Sequence, residues 1–110
     1  MSKFDDFFAD VTSGLAPLVV DFAKDARKDA VDDMLAFLAR KKDDLLRWTD
    51  LLSRGEITPA EFEMLVKGAK ALLKLRALRV AGVQLARVQR LRDAFIDLVV
   101  ETAVGTFLPG

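Results

Sequence analysis

Carboxylates stand side by side at Asp32–Asp33 and Asp43–Asp44 and one residue apart at Glu61 and Glu63. Paired acids of this kind can share general acid and base work. On a helix, however, neighbours one or two positions apart point to different faces, so these groups read as solvated charges or helix caps. The residues that would complete a reactive site are missing. The chain has no histidine, cysteine or tyrosine, which removes the commonest general base, serine–histidine pairs, imidazole and thiolate metal ligands, and thiolate nucleophiles. Gly68, Gly82 and Gly105 are isolated, so no glycine-rich phosphate loop exists. The expectation is a protein with no catalytic residue, no metal and no cofactor, and not an enzyme.

A second possible chemistry lies in the acid-free run from residue 67 to 92. It holds Lys67, Lys70, Lys74, Arg76, Arg79, Arg87, Arg90 and Arg92, a basic patch able to track phosphates. No aromatic residue interrupts the run for base stacking. The whole chain carries 17 basic and 17 acidic residues, so its total charge implies no bulk attraction to nucleic acid.

The elements that must position these groups are helical. With 110 residues, 52% hydrophobic and 31% charged, the chain has enough apolar content for a core, and no segment alternates like a strand. The class is all-α. The N-terminus lacks the order of a signal peptide, and the absence of cysteine points to the cytoplasm. No run of about 18 apolar residues occurs, so a spanning helix is not expected.

Organisation follows from residues 53–61, Ser-Arg-Gly-Glu-Ile-Thr-Pro-Ala-Glu, where a helix stop meets a helix start. Gly55 suits the left-handed residue that closes a helix, while Thr58, Pro59 and Glu61 fall at an N-cap, a first-turn proline and a capping-box position. A short amphipathic helix is expected at about 2–12, capped by Ser2. Long helices then follow at about 16–53 and 59–103, joined by a turn at 54–58, all within one helical domain spanning 1–110. Nothing between Ala16 and Arg54 forces a break. The long helices form an antiparallel hairpin, each on the order of 55 to 65 Å at ~1.5 Å per residue.

Apolar positions in both long helices recur in steps of three and four that repeat every eleven residues, matching ~3.67 residues per turn. The first stripe runs Leu15, Val19, Ala23, Ala26, Ala30, Met34, Phe37, Lys41, Leu45, Trp48, Leu52. The second runs Phe62, Val66, Ala69, Leu73, Ala77, Val80, Gln84, Val88, Leu91, Phe95, Val99, Thr102. The fold-back also sets Asp21, Asp25, Asp29, Asp32 and Asp33 against Arg76, Arg79, Arg87, Arg90 and Arg92, with Asp43 and Asp44 facing Lys67 and Lys70. Such exposed pairs contribute about 0 to 1 kcal/mol each and select an arrangement more than they stabilise it.

Each helix carries a second apolar set. Val31, Leu35, Leu38 and Leu46 on one, with Leu65, Leu72, Leu75, Leu78, Leu85 and Ile96 on the other, would face water in a lone hairpin. Either the helices break into a compact bundle, with Gly82 the foremost break, or hairpins associate; the uncapped length of the runs favours association into a helical bundle. Phe4, Phe7, Phe8 and Phe107 gather at the end away from the turn. There the first helix either folds over the tip as a lid or leaves a docking site.

Residues 45–73 bring a resemblance. Leucines, Gly55, Ile57-Thr58, Glu61-Phe62 and a leucine-bearing second helix resemble the short bacterial module called SHOCT. The match covers that stretch alone and sits mid-chain, whereas the module is usually terminal. It implies a small helical hairpin used for interaction or oligomerisation. The expected partner is a second copy or another helical protein. Nucleic acid at the basic run and a membrane surface or partner protein at the apolar end are the lesser alternatives.

Overall fold

The computed structural model describes residues 2–70 and 73–108; the side chains of Asp25, Arg76 and Ala77 lie outside that set. Among the described residues the secondary structure is entirely helical: α1 (Lys3–Ser13), α2 (Leu15–Leu18), α3 (Lys24–Arg40), α4 (Lys42–Ser53), α5 (Pro59–Ala69), α6 (Arg76–Val80) and α7 (Leu85–Phe107).

Two glycines end helices by the same device. After α4, Gly55 takes φ 73°, its amide donates to the Leu52 carbonyl at 3.1 Å, and the Glu56 amide donates to Leu51 at 3.0 Å. After α6, Gly82 takes φ 84°, its amide donates to Arg79 at 3.0 Å, and the Val83 amide donates to Leu78 at 2.9 Å. Both are Schellman closures, in which carbonyls left over at a helix end find amides just beyond it. Helix α5 then opens as its residues dictate: the Thr58 hydroxyl accepts from the Glu61 amide at 3.1 Å, the Glu61 carboxylate accepts from the Thr58 amide at 3.0 Å, and Pro59 occupies the first turn. Ser2 and Asp5 make the equivalent box on α1.

The two expected long helices are divided. Residues 19–23 separate α2 from α3, Lys41 separates α3 from α4, and non-helical chain at 73–75 and 81–84 flanks α6. The longest dimension is therefore 43 Å, shorter than the roughly 55 to 65 Å rods of a straight hairpin. At 73–75 the reason is burial. Leu73 and Leu75 are both buried with Lys74 exposed between them, the two-residue alternation of extended chain. A continuous helix would set Leu73 and Leu75 on opposite sides, and burying each leucine is worth about 1.5–3 kcal/mol.

The eleven-residue stripes mark the buried face wherever the helices persist. Leu15, Ala30, Met34, Phe37, Leu45, Leu52, Phe62, Val66, Leu73, Val88, Phe95 and Val99 all lie in the core. The exceptions, Ala23, Val80 and Gln84, are exposed and sit at the breaks. Helix α7 is the axis: α1, α2, α4, α5 and α6 each pack against it, while α3 packs on α2, α4 and α6. At one such contact α1 meets α2 at Gly14, where an added Cβ would stand 2.9 Å from Leu98 Cδ1. The Phe37 and Phe95 rings meet edge to face at 5.6 Å. Among the described residues Thr49 is the one fully buried polar side chain. Its hydroxyl returns to its own helix, donating to the Leu45 carbonyl at 2.7 Å.

Near the turn, the expected pairing of Asp44 and Lys67 across the hairpin gives way to local pairs. Asp44 pairs with Lys41 and Arg47 on its own side of the turn, at 3.2 and 3.0 Å, and Lys67 pairs with Glu63 at 3.3 Å. Lys70 reaches Asp93 at 4.0 Å, the single inter-helix ion pair among the described residues. On a helix surface, i, i+3 and i, i+4 neighbours are near enough to pair, and Asp44 and Lys67 take such partners.

Candidate interaction site

Breaking the helices turns both apolar faces inward. Leu38, Leu75, Leu78 and Ile96, expected on an outer face, lie in the core of a single chain, and Leu35 is half-buried. Leu72 lies outside the described residues. Leu85 stays on the surface at 53% exposure. At the other end α1 covers the aromatic tip: Phe4, Phe7 and Phe107 are buried, Phe8 is half-buried, and Phe7 stacks toward Phe107 at 5.8 Å. The lid arrangement is the one adopted.

The basic run is split by the same breaks. Lys67 and Lys70 have carboxylate partners on α5 and α7, as above. Lys74, Arg79, Arg87 and Arg90 are exposed and make no ion pair among the described residues. The Arg87 guanidinium instead lies over the Phe22 ring, 4.7 Å from its centroid, a cation–π contact between the α2–α3 connection and α7. Two shallow clefts of about 230 and 450 Å³ flank this stack, lined among others by Asp21, Ala26, Gly82 and Arg90.

Beside those clefts is a surface of which the sequence reading held Leu85 but not Val80. Val80 ends α6 and is 89% exposed, and together with Leu85 it brackets the Gly82 turn. The signal was partly available, since Gly82 stood out as a break. Val80 nevertheless belonged to the second stripe, and only an unbroken helix would bury it. Arg79 precedes this apolar tip and Arg87 follows it. Helix α7 also opens without help: Gln84 makes no side-chain cap, and no acid occupies the first turn, although anionic groups are favoured there.

The far end of α7 carries a different shape. An open groove of about 530 Å³ lies between α1 and α4, lined by Phe4, Leu46, Thr49, Asp50 and Phe107 with Ser2, Lys3 and Ser53 at its edge. Leu46 is 49% exposed there. On α5, Met64 and Leu65 are exposed as well, at 71% and 37%. Among the described residues no group of three or more acidic residues is placed to hold a metal ion, and no helix is long and apolar enough to cross a membrane.

The arrangement leaves exposed apolar side chains, Val80 and Leu85, at the start of α7, with Arg79 and Arg87 beside them in sequence. Compared with protein-family models, curated proteins and solved structures, the chain matches none.

Proposed function

We propose that the chain is a noncatalytic helical module that works through assembly, joining copies of itself or serving as a small subunit or adaptor of a larger helical complex. The observation that carries this reading is the Gly82 turn, where Val80 and Leu85 remain 89% and 53% exposed while most of the described stripe residues are buried. Single exposed apolar residues are ordinary. Two on one turn, bordered by arginines that make no ion pair among the described residues, fit a surface that meets another protein, since interface cores gather apolar groups and arginine. The SHOCT-like stretch at 45–73 agrees with an interaction role, and a cysteine-free chain suits a cytoplasmic setting. Sedimentation velocity on the full chain over a wide concentration range tests the reading: mass above that of one chain supports it, and a monomer throughout overturns self-assembly.

A second reading takes the same basic edge as a phosphate-tracking surface, favoured by the exposed Lys74, Arg79, Arg87 and Arg90. Retardation of labelled DNA or RNA that collapses steeply with added salt would support it. No retardation at low salt retires it.

A further inference from the structure

The two clefts beside the Phe22–Arg87 stack share Asp21, Phe22 and Arg87 in their linings, so they form one furrow that the stack crosses. One wall is the connection between α2 and α3, and the other is α7. On the α7 side the lining runs from Gln84, its N-cap, to Ala94, roughly 15 Å at ~1.5 Å per residue. That length accommodates about three turns of a second helix. Leu18, Leu91 and Ala94 line one end and Ala26 and Val83 the other, so apolar groups lie on both sides of the stack. Val80 and Leu85, the chain neighbours of the lining at the Gly82 turn, are exposed.

Charge in the furrow is unequal. Arg87 and Arg90 set two guanidinium groups against one carboxylate, that of Asp21, and none of the three makes an ion pair among the described residues. No acid occurs in the sequence from residue 67 to 92. The first turn of α7 is likewise free of acid, so the positive end of the helix adds to the same potential.

We infer that this furrow receives a short acidic amphipathic helix of a partner protein, with its apolar side chains on either side of the Arg87–Phe22 stack and its carboxylates on Arg87 and Arg90. This deepens the assembly reading above and rests on it, choosing the subunit or adaptor role over the joining of like copies. A helix laid in a groove buries its apolar face while its charged flanks meet the rim. Guanidinium groups suit that rim because they take carboxylates through two parallel hydrogen bonds. The ring of Phe22 already holds Arg87 in place, 4.7 Å from the centroid, which lowers the cost of ordering it on binding. Nucleic acid would engage the guanidinium groups and leave Leu91, Ala94 and Val80 without a counterpart.

The test selects random peptides of about 16 residues, long enough for three helical turns with flanks, by phage display on the immobilised full-length chain. Fluorescence anisotropy then measures the enriched peptides against wild type and variants whose folding is confirmed by circular dichroism. Enriched sequences are expected to carry leucine or phenylalanine at helical spacing with aspartate or glutamate between, and to bind more weakly as salt is added. Arg87→Ala and Arg90→Ala change exposed residues, and each should weaken binding by about tenfold or more. Arg54→Ala, which removes an exposed arginine at the other glycine turn, should change it by about twofold or less. The proposal is overturned if no peptide is enriched, if the enriched peptides lack acids, or if Arg54→Ala weakens binding as much as Arg90→Ala does. Without enrichment, retardation of labelled DNA that Arg90→Ala abolishes would give the furrow to nucleic acid, and self-association that Arg90→Ala abolishes would give it to a second copy. Mass above one chain in sedimentation velocity, together with failure here, leaves assembly standing and removes the acidic helix alone.

Discussion

The turns at Gly55 and Gly82 have the same backbone and opposite surroundings. Each glycine is left-handed and each closes its helix with the same pair of amide–carbonyl bonds. Beyond Gly55 the surface is polar, with Arg54 bridging Asp50 and Glu56 at 2.7 and 3.4 Å, and the next helix is fully capped by Thr58 and Glu61. Beyond Gly82 the surface is apolar and basic, and α7 begins without a side-chain cap. A turn needed only to reverse the chain acquires polar groups and caps, as the first has. The second has no side-chain cap and exposes Val80 and Leu85 beside Arg79 and Arg87, which agrees with the proposed contact surface.

The largest expected effect lies beneath the second turn. Leu78→Ala deletes a fully buried leucine and should cost about 2–5 kcal/mol in chemical denaturation. A negligible cost would mean that α6 does not pack as described and that the residue belongs to an outer face. Next come the glycines. Gly55→Ala and Gly82→Ala each force a side chain into the left-handed region and should lose about 1–2 kcal/mol, to a similar degree at both turns. A loss at one only would break the equivalence of the two closures. The caps should respond with opposite signs. Thr58→Ala should destabilise by about 1 kcal/mol, whereas Gln84→Asp, at extended backbone already suited to a cap, should stabilise by about 0.5–1 kcal/mol. Equal responses would show that the second turn gives up no local stability. Smallest of all, Arg54→Ala should shift stability by at most about 1 kcal/mol, because its ion pairs are exposed.

What could be foreseen from the residues was whatever they encode locally. Gly55, Thr58, Pro59 and Glu61 specify a stop and a start within seven positions, and the structure reproduces each bond they imply. The elevens identified the buried side of α3, α4, α5 and α7 because that period follows the helix itself. The breaks were hidden for a related reason. Residues 70–75, Lys-Ala-Leu-Leu-Lys-Leu, are good helix formers, yet 73–75 are not helical, because both Leu73 and Leu75 gain burial that way. That is a tertiary gain that no local preference records. Once the breaks exist, Leu38, Leu75, Leu78 and Ile96 find cover within one chain. Of the candidate interface, Leu85 remained at the surface, and Val80 joined it because the Gly82 turn removed the helix that would have covered it.

Thr49 carries one more consequence. Its hydroxyl is spent on the helix that bears it, so it fastens nothing across the interior, and the other buried residues described are aliphatic and aromatic. An interior of that kind accepts one hydrocarbon in place of another so long as volume is kept. Descendants of this chain would therefore hold their shape while their spelling drifts, with the glycine corners the last letters to change.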